Sequence, residues 1–316
     1  MAEFGLFLSS EELAPGPLIE AARYAEKVGI DSLFISDHFH PWLESQGQSP
    51  FVWGVLGAIA ASTSQRLMTG VTCPTIRIHP AILAQATATT QLISEGRFRF
   101  GVGSGENLNE HILGHRWPPI ETRLQMLEEA VEVIRLLWRG GYVTHHGRYY
   151  TVENARIFSI PDDPPSVLVS GFGPESTHLA ARIGDGYVST APESDLLDQY
   201  RSDGGKGHTV ACTKVCWGRD ESSARKLAHD RWRTEGLAGQ LAQELAMPSH
   251  FEAASQLVTE EDVASSIPCG PDPEVHAQAI SKYVEAGYDE IFISQIGDDQ
   301  RGFLDFFASE LRPILG

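Results

Sequence analysis

The sequence is short of basic residues and has no long apolar run. Its 24 lysines and arginines stand against 42 aspartates and glutamates, which gives a formal net charge of −18 at pH 7. Such an excess of carboxylates repels phosphate backbones and anionic lipids, so nucleic acid and membrane surfaces are excluded as general partners. No segment approaches the ~20 consecutive apolar residues of a membrane-spanning helix, and the start lacks a signal-peptide pattern. The sequence therefore predicts a cytoplasmic location.

Cysteine is also scarce, and several familiar catalytic patterns are missing. Four cysteines are too few for a disulfide scaffold in a chain of 316 residues. Cys212 and Cys216 stand four positions apart in an alternating segment, a spacing that spans ~13 Å of extended chain and favours packing over metal binding. The chain has neither a G-x-S-x-G elbow nor a Walker phosphate loop, so acyl transfer and phosphate-loop hydrolysis have no support.

What the sequence does contain is a regular alternation of apolar strand-length and amphipathic helix-length segments. The predicted strands are 4–8, 32–36, 67–72, 97–102, 166–170, 186–190, 209–217 and 290–295. The predicted helices are 17–28, 51–62, 80–93, 121–138, one after Pro174, one from Ser194, 273–286 and 300–311. Eight strands separated by helices fit a (β/α)8 TIM barrel better than an open doubly wound sheet.

Two segments depart from this alternation. Residues 140–160 include Tyr142–Thr151, which alternates around Gly147 and predicts an inserted hairpin. Residues 221–267 predict a helical insertion that ends in the loop 268–271 and is expected to shape the substrate pocket. No repeat or low-complexity linker divides the chain, so residues 1–316 are predicted to form a single barrel domain.

Polar residues follow the second and fourth strands, at the end of the barrel where such folds carry their chemistry. Asp37, His38 and Trp42 follow the second strand and combine an imidazole that titrates near neutral pH with a large flat surface. The glycine-rich segment 101–106 follows the fourth strand, and its N–H groups can meet a phosphate. It differs from the dinucleotide fingerprint because Glu106 takes the sixth place and no helix is expected to begin there. Glu106 is a candidate acid.

Other strand ends add weaker signals. Gly171–Pro174 exposes backbone before a helix N-terminus, which is a natural anion site, and Glu11 follows the first strand. The H-x-H of His38 and His40 is typical of metal-dependent hydrolases, but the fifth, sixth and eighth strands lack the further ligands, so no metal is predicted. Loop and helix-capping roles are the alternative interpretation of each of these polar residues.

Five strings in these regions resemble the F420-dependent glucose-6-phosphate dehydrogenases of the luciferase-like monooxygenase superfamily. They are Ser36–Trp42, Cys73–Arg77, Gly101–Glu110, Gly184–Gly186 and Asp299–Gln300. The resemblance extends over nearly the whole chain. It implies a homodimeric barrel that carries the deazaflavin coenzyme F420 in its mouth and passes a hydride between C5 of the ring and a small-molecule substrate.

The resemblance also implies roles for individual residues. His38 would be the active-site base and Glu106 the partner acid, with Trp42 and Glu11 on the substrate side. The residues implied on the cofactor side are Asp37, Gly70, Val71, Cys73, Ser104, Gly105, Asn109, Gly171, Phe172, Gly173 and Thr190. The peptide bond that joins Gly70 and Val71 would be cis and would support the ring.

Two departures from the family bear on the substrate and cofactor. Glu193 stands where the dehydrogenases have a phosphate-binding lysine, and a carboxylate there repels a phosphate. Phe172 replaces the first of the family's paired glycines. The sequence therefore predicts an F420-dependent oxidoreductase acting on an alcohol or sugar-like hydroxyl other than glucose 6-phosphate. An FMN-dependent monooxygenase of the same superfamily and a non-catalytic cofactor-binding homologue are the alternatives.

Overall fold

Eight parallel strands close into a barrel in the computed structural model, which describes residues 2–316. The strands in chain order are β1 Glu3–Leu8, β2 Ser32–Ile35, β3 Arg66–Thr69, β4 Phe98–Val102, β5 Val143–His146, β6 Thr151–Ala155, β7 Val167–Ser170, β8 Gly186–Ser189, β9 His208–Trp217, β10 Cys269–Gly270 and β11 Glu290–Gln295. The barrel runs β1–β2–β3–β4–β7–β8–β9–β11, and β11 pairs with β1 to close it. The predicted (β/α)8 barrel is confirmed.

Helices follow the strands, and most of them pack around the outside of the barrel. In chain order they are α1 Pro15–Lys27, α2 Val52–Ala60, α3 Pro80–Ile93, α4 Asn107–Glu110, α5 Ile120–Trp138, α6 Pro174–Ile183, α7 Ser194–Ser202, α8 Glu221–Trp232, α9 Leu241–Glu244, α10 Pro248–Ala254, α11 Glu260–Ser266, α12 Pro273–Ala286, α13 Gln300–Phe306 and α14 Arg312–Leu315. Short 3-10 turns cover His111–Leu113 and Arg233–Gly236, and a π turn covers Phe307–Leu311. None of the helices within residues 2–316 is long and apolar enough to cross a membrane.

Large apolar side chains fill the inside of the barrel below its mouth. Phe34 of β2 and Phe292 of β11 stack with their ring centroids 5.0 Å apart. The other buried members of this layer are Met68, Leu168, Val188, Val210 and Cys212. Because this layer is packed, a ligand can enter the barrel only from an end, and parallel barrels use the carboxyl ends of their strands.

The two predicted insertions take regular forms. Strands β5 and β6 pair antiparallel within residues 140–160, and the carboxylate of Glu129 on α5 holds the turn by accepting from the backbone N–H groups of Arg148, Tyr149 and Tyr150. Helices α8 to α11 occupy the segment between β9 and β10. The hairpin therefore docks on the side of the barrel, whereas the helical insertion follows a strand at the mouth.

Two short elements correct the sequence-based expectations. Cys269–Gly270, expected to lie in a loop, forms β10 and pairs with Cys216 and Trp217 at the end of β9. Helix α4 begins directly after Glu106, where no helix was expected. Elements of two and four residues are too short to show a periodicity, which is why the pattern did not reveal them.

The cysteines are all free and buried within the described residues. Cys212 lies in the apolar layer inside the barrel, and Cys216 packs against the helical insertion. Both therefore have packing roles, as the spacing predicted. Within residues 2–316, no group of three or more His, Cys, Asp or Glu side chains is arranged to hold a metal ion.

Candidate active site

An imidazole and a carboxylate form the centre of the barrel mouth. The Nε2 atom of His38, in the loop after β2, lies 3.4 Å from Oε1 of Glu11, in the loop after β1. The Nδ1 atom of His38 lies 3.2 Å from the carbonyl oxygen of His40, and the ring centroid lies 5.0 Å from that of Trp42. The carbonyl and the ionised carboxylate both accept hydrogen bonds. The site therefore offers an acceptor to each N–H group of the imidazolium that forms when His38 takes a proton.

Two serines orient the Glu11 carboxylate. The hydroxyls of Ser9 and Ser36 donate to its Oε2 atom over 3.0 Å and 2.6 Å, and the Ser36 hydroxyl accepts from the backbone N–H of Ser10 at 2.9 Å. Because Oε2 is occupied, Oε1 is directed at His38. Both serines come directly after a strand, which is the signal that could have identified them from the sequence.

A buried ion-pair network lies beneath the loops of the mouth. Arg77 donates to Oδ1 of Asp37 over 2.7 Å, and the Thr72 hydroxyl donates to Oδ2 over 2.7 Å. Glu110 accepts from the backbone N–H of Arg77 at 2.6 Å. Burial raises the pKa of Glu110 to about 7, although the Arg77 N–H and charge oppose the shift. Asp37 is thus fixed on both oxygens, and the roles of Thr72, Arg77 and Glu110 were not predicted.

Asn109 connects the loop after β2 to Glu106. Its Oδ1 atom accepts from the backbone N–H of Phe39 at 2.8 Å and of His40 at 3.2 Å. Its Nδ2 atom lies 3.5 Å from Oε2 of Glu106. One amide side chain therefore sets the position of the His38 loop relative to the candidate acid.

Val71 and Gly103 approach each other closely at the ends of β3 and β4. The Gly70–Val71 peptide bond is cis, as the resemblance implied. A Cβ atom added at Gly103 would lie 2.8 Å from Cγ2 of Val71 and 2.8 Å from the Ser170 hydroxyl. Only glycine fits at position 103 without displacing its neighbours.

Beside this contact lies a cavity of about 340 Å³. Its lining includes these residues of the mouth and of α6: Val71, Gly103, Ser104, Gly105, Glu106, Ser170, Phe172, Gly173, Glu175 and Ser176. Among the contacts of the described residues, the backbone N–H groups of Ser104 and Gly105 donate to no protein acceptor. The first turn of α6 also carries N–H groups without helical partners. The cavity therefore offers donors suited to an anion.

The second glycine-bearing loop differs from its expected role. The N–H of Gly171 donates to the Val188 carbonyl at 3.1 Å, and those of Phe172 and Gly173 donate to the Ser176 hydroxyl at 3.1 Å and 3.2 Å. Because these groups are satisfied within the protein, the donors on this side of the cavity are those of the first turn of α6.

The structure places the sequence-predicted residues in three settings. The cavity is lined by Val71, Ser104, Gly105, Glu106, Phe172 and Gly173. A second group surrounds the imidazole or supports its loop: His38, Glu11, Trp42, Asp37 and Asn109. The remaining predicted residues lie outside both groups. Cys73 is buried beneath Gly103. Thr190 is exposed, and its backbone carbonyl accepts from the Tyr283 hydroxyl at 3.2 Å. Gly70 precedes Val71, and Gly171 is buried against Thr177.

The helical insertion covers both parts of the mouth. Gly239, Gln240 and Gln243 from the insertion line the cavity. Phe251 of α10 packs edge-on against Trp42, with ring centroids 5.2 Å apart. Sequence reasoning assigned residues 221–267 to the pocket without identifying these contacts, because residues so far apart in sequence share no local pattern.

Comparison with known proteins identifies the family to which this barrel belongs. The chain belongs to the luciferase-like monooxygenase family, whose profile matches residues 1–290. An F420-dependent glucose-6-phosphate dehydrogenase of Microbacterium testaceum is 33% identical over 326 residues, which cover 99% of this chain and 97% of the relative. A protein of the same name from Beutenbergia cavernae is 34% identical over 329 residues, covering 100% and 98%.

A solved structure shows the same architecture. An F420-dependent secondary alcohol dehydrogenase in complex with an F420-acetone adduct is similar to this chain with a TM-score of 0.91 and 30% sequence identity. The match covers 100% of this chain and 99% of the other. The similarity therefore includes the insertions as well as the barrel.

Proposed function

We propose that this chain is an F420-dependent oxidoreductase that moves a hydride between coenzyme F420 and the hydroxyl-bearing carbon of a small alcohol. The observation that carries the proposal is the His38–Glu11 pair, which holds a proton acceptor in the barrel mouth 3.4 Å from a carboxylate. Full-length relatives at 33% and 34% identity are named F420-dependent dehydrogenases, which supports the cofactor. The alcohol dehydrogenase structure supports a hydroxyl substrate.

The residues around the cavity fit a flat ring that carries a phosphorylated tail. Gly103 has no side chain, and a Cβ atom added to it would collide with Val71. This part of the cavity wall is therefore backbone, which a flat ring can approach closely. Ser104 and Gly105 provide N–H donors for an anion. Donation by backbone groups explains how a chain of net charge −18 could hold an anionic cofactor. When bound, the coenzyme supplies a deazaflavin ring whose C5 accepts or gives a hydride.

The side chains of the mouth handle the proton. In the oxidising direction, His38 takes the hydroxyl proton at Nε2 while the C–H electron pair leaves the same carbon as hydride, so the product is a carbonyl. Glu11 stabilises the resulting imidazolium, and the His40 carbonyl keeps the other hydrogen on Nδ1. Trp42 provides a flat surface beside the ring. Glu106 borders the cavity, and its carboxyl group is the proposed acid on the cofactor side.

Glucose 6-phosphate is not the proposed substrate. Glu193 precedes α7 as its exposed N-cap residue, after the strand end at β8. A carboxylate at this position repels the phosphate that a lysine would attract. The proposed substrate is therefore a hydroxyl compound that needs no phosphate contact there.

A homodimer in the cytoplasm completes the proposal. Phe51 before α2 and Ile82 on the neighbouring α3 are 64% and 59% exposed, and exposed apolar side chains of this size suit a subunit contact. The free cysteines suit a reducing compartment. Light scattering on the purified protein would give twice the chain mass of 34.6 kDa for a dimer and that mass for a monomer, which would contradict the proposal.

Two titrations test the cofactor and the reaction. The apoprotein is titrated with F420 and, separately, with FMN, and the bound F420 is then mixed with a panel of alcohols while its absorbance is followed. Saturation by F420 at lower concentration than FMN, followed by bleaching with at least one alcohol, is the expected result. Tighter binding of FMN would favour the monooxygenase, and bound F420 that no alcohol bleaches would favour the non-catalytic homologue.

A further inference from the structure

A lysine that the mechanism does not use projects into the barrel mouth. Val210 and Cys212 of β9 face the inside of the barrel. Alternate residues of a strand share a face, so Lys214 lies on the same face, two positions nearer the mouth. Its Nζ atom lies 4.3 Å from the ring centroid of Trp232, and its side chain is 24% exposed. Glu11 lies close enough for its charge to act on this ammonium.

The charge of Lys214 is already paired. Its Nζ atom lies 2.9 Å from Oε1 of Glu235, in the turn that follows α8 of the insertion. Burial alone lowers the pKa of an ammonium, but the charge and hydrogen bond of Glu235 outweigh it and hold the pKa of Lys214 above its ordinary value. The mouth therefore holds a fixed ion pair where a free cation would otherwise face an incoming substrate.

This pairing distinguishes between substrate classes. A carboxylate or phosphate taken out of water requires a cation or several donors in exchange, whereas an uncharged alcohol does not. An anionic substrate would have to displace Glu235 from Lys214 while also facing the carboxylate of Glu11. Trp42 and Trp232 offer aromatic surface that suits a neutral, partly apolar molecule.

We propose that Glu235 is a specificity-determining residue, which pairs with Lys214 and thereby restricts the enzyme to uncharged hydroxyl compounds. The inference rests on the proposed function, since it names the substrate class of the same site. It predicts that removal of the Glu235 charge, without loss of its volume, makes Lys214 available to an anionic substrate.

The first test compares a neutral substrate with an anionic analogue of it. Glu235→Gln is assayed with the best alcohol of the panel and with the hydroxy acid in which a methyl group is replaced by a carboxylate. The wild type should prefer the neutral compound, and the variant should lower this preference in kcat/KM at least ~10-fold, the gain expected from one charge-assisted contact. Addition of Lys214→Met to the variant should abolish the gain. Glu252→Gln removes an insertion charge near Arg233 instead and should leave the preference unchanged.

The second test needs no turnover. Apoprotein is titrated with inorganic phosphate while tryptophan fluorescence is followed, because Trp232 lies under the Lys214 ammonium. A response shared by all the proteins reports phosphate in the cofactor cavity and serves as the baseline. Glu235→Gln should show an additional saturable response that the double variant with Lys214→Met lacks. Absence of that additional response, or its presence in the wild type, would overturn the inference.

The two tests also separate this inference from the proposed function. If no alcohol bleaches bound F420 in any of the proteins, the proposed oxidoreductase activity is wrong, and the phosphate titration still decides whether Glu235 masks Lys214. If alcohols are oxidised but Glu235→Gln leaves the neutral-to-acid preference unchanged, the activity stands and the specificity role fails.

Discussion

The Nε2 atom of His38 and the Oε1 atom of Glu11 lie 3.4 Å apart in the barrel mouth, while Nδ1 of the same ring faces the carbonyl of His40. Both partners accept hydrogen bonds, so each ring nitrogen of the protonated imidazole has an acceptor to which it can donate. The proposed base therefore has beside it the counterion that its protonated form requires.

The first prediction concerns His38 itself. We expect His38→Gln to lower kcat by ~10²–10⁴, the usual contribution of a positioned general base. The affinity for F420 should be unchanged, because His38 is not among the residues that line the cavity. Stopped-flow bleaching of bound F420 by the best alcohol measures the step, and His115→Gln, at an exposed position, is the control. Unchanged turnover in a variant that still binds F420 would rule His38 out as the base.

The second prediction concerns Glu11. Glu11→Gln keeps the shape of the side chain but removes the charge opposite the imidazolium, and a hydrogen bond to a charged group contributes ~1.5–3 kcal/mol. We therefore expect kcat to fall roughly 10- to 100-fold with little change in KM. Steady-state kinetics with the same alcohol measure both constants, and Glu20→Gln on the exposed face of α1 controls for net charge. A rise in KM alone would show that Glu11 only binds substrate.

Local patterns in the sequence predicted the barrel well. The strands are short apolar segments bounded by polar residues, so their positions follow from the pattern alone. Helices α3 and α12 have the predicted limits because each begins with a proline at its first position, and Gly287, with φ of +94°, ends α12. Where the local signal is strong, the sequence is sufficient.

The contacts that assemble the site were beyond this kind of reasoning. Ser36 and Glu11 are 25 positions apart, Arg77 and Asp37 are 40 apart, and Trp232 is 220 positions from Glu12, to which its indole donates. The closure of the barrel brings these residues together, and no periodicity encodes that event. The sequence indicated which strand ends carry candidate residues, but not which side chains there hold one another.

The third prediction concerns the wall of the cavity. Gly103→Ala places a methyl group 2.8 Å from Cγ2 of Val71 and the Ser170 hydroxyl, so these groups must move. Overpacking of this kind costs ~1–3 kcal/mol, and we expect the affinity for F420 to fall about 10-fold or more.

Gly16→Ala on α1 is the control for this change. A Cβ atom there meets nothing within 4 Å, and Gly16 does not line the cavity. Fluorescence titration with F420 compares the two variants. Equal affinities would show that the close approach at Gly103 does not matter for the cofactor.

The fourth prediction concerns the pH dependence of stability and the buried carboxyl of Glu12. The Trp232 indole donates to its Oε1 at 2.6 Å and the Gly297 N–H donates to its Oε2 at 2.9 Å. Burial nevertheless dominates and raises the pKa of Glu12 from 4.5 to about 7. Between these two values the folded protein binds more protons than the unfolded chain, so this group makes stability fall as the pH rises through the window and level off above pH 7.

Glu12→Gln isolates this contribution because the amide does not titrate. We expect the difference in unfolding free energy between wild type and variant to change by about 3 kcal/mol from pH 4.5 to pH 7, with the wild type losing more. Urea unfolding at several pH values measures it, and the effect of Glu110, which titrates in the same range, cancels because both proteins contain it. Glu20→Gln is the control, and its difference from the wild type should stay constant across this pH range. A constant difference for Glu12→Gln as well would show that Glu12 is ionised in the folded state at acidic pH.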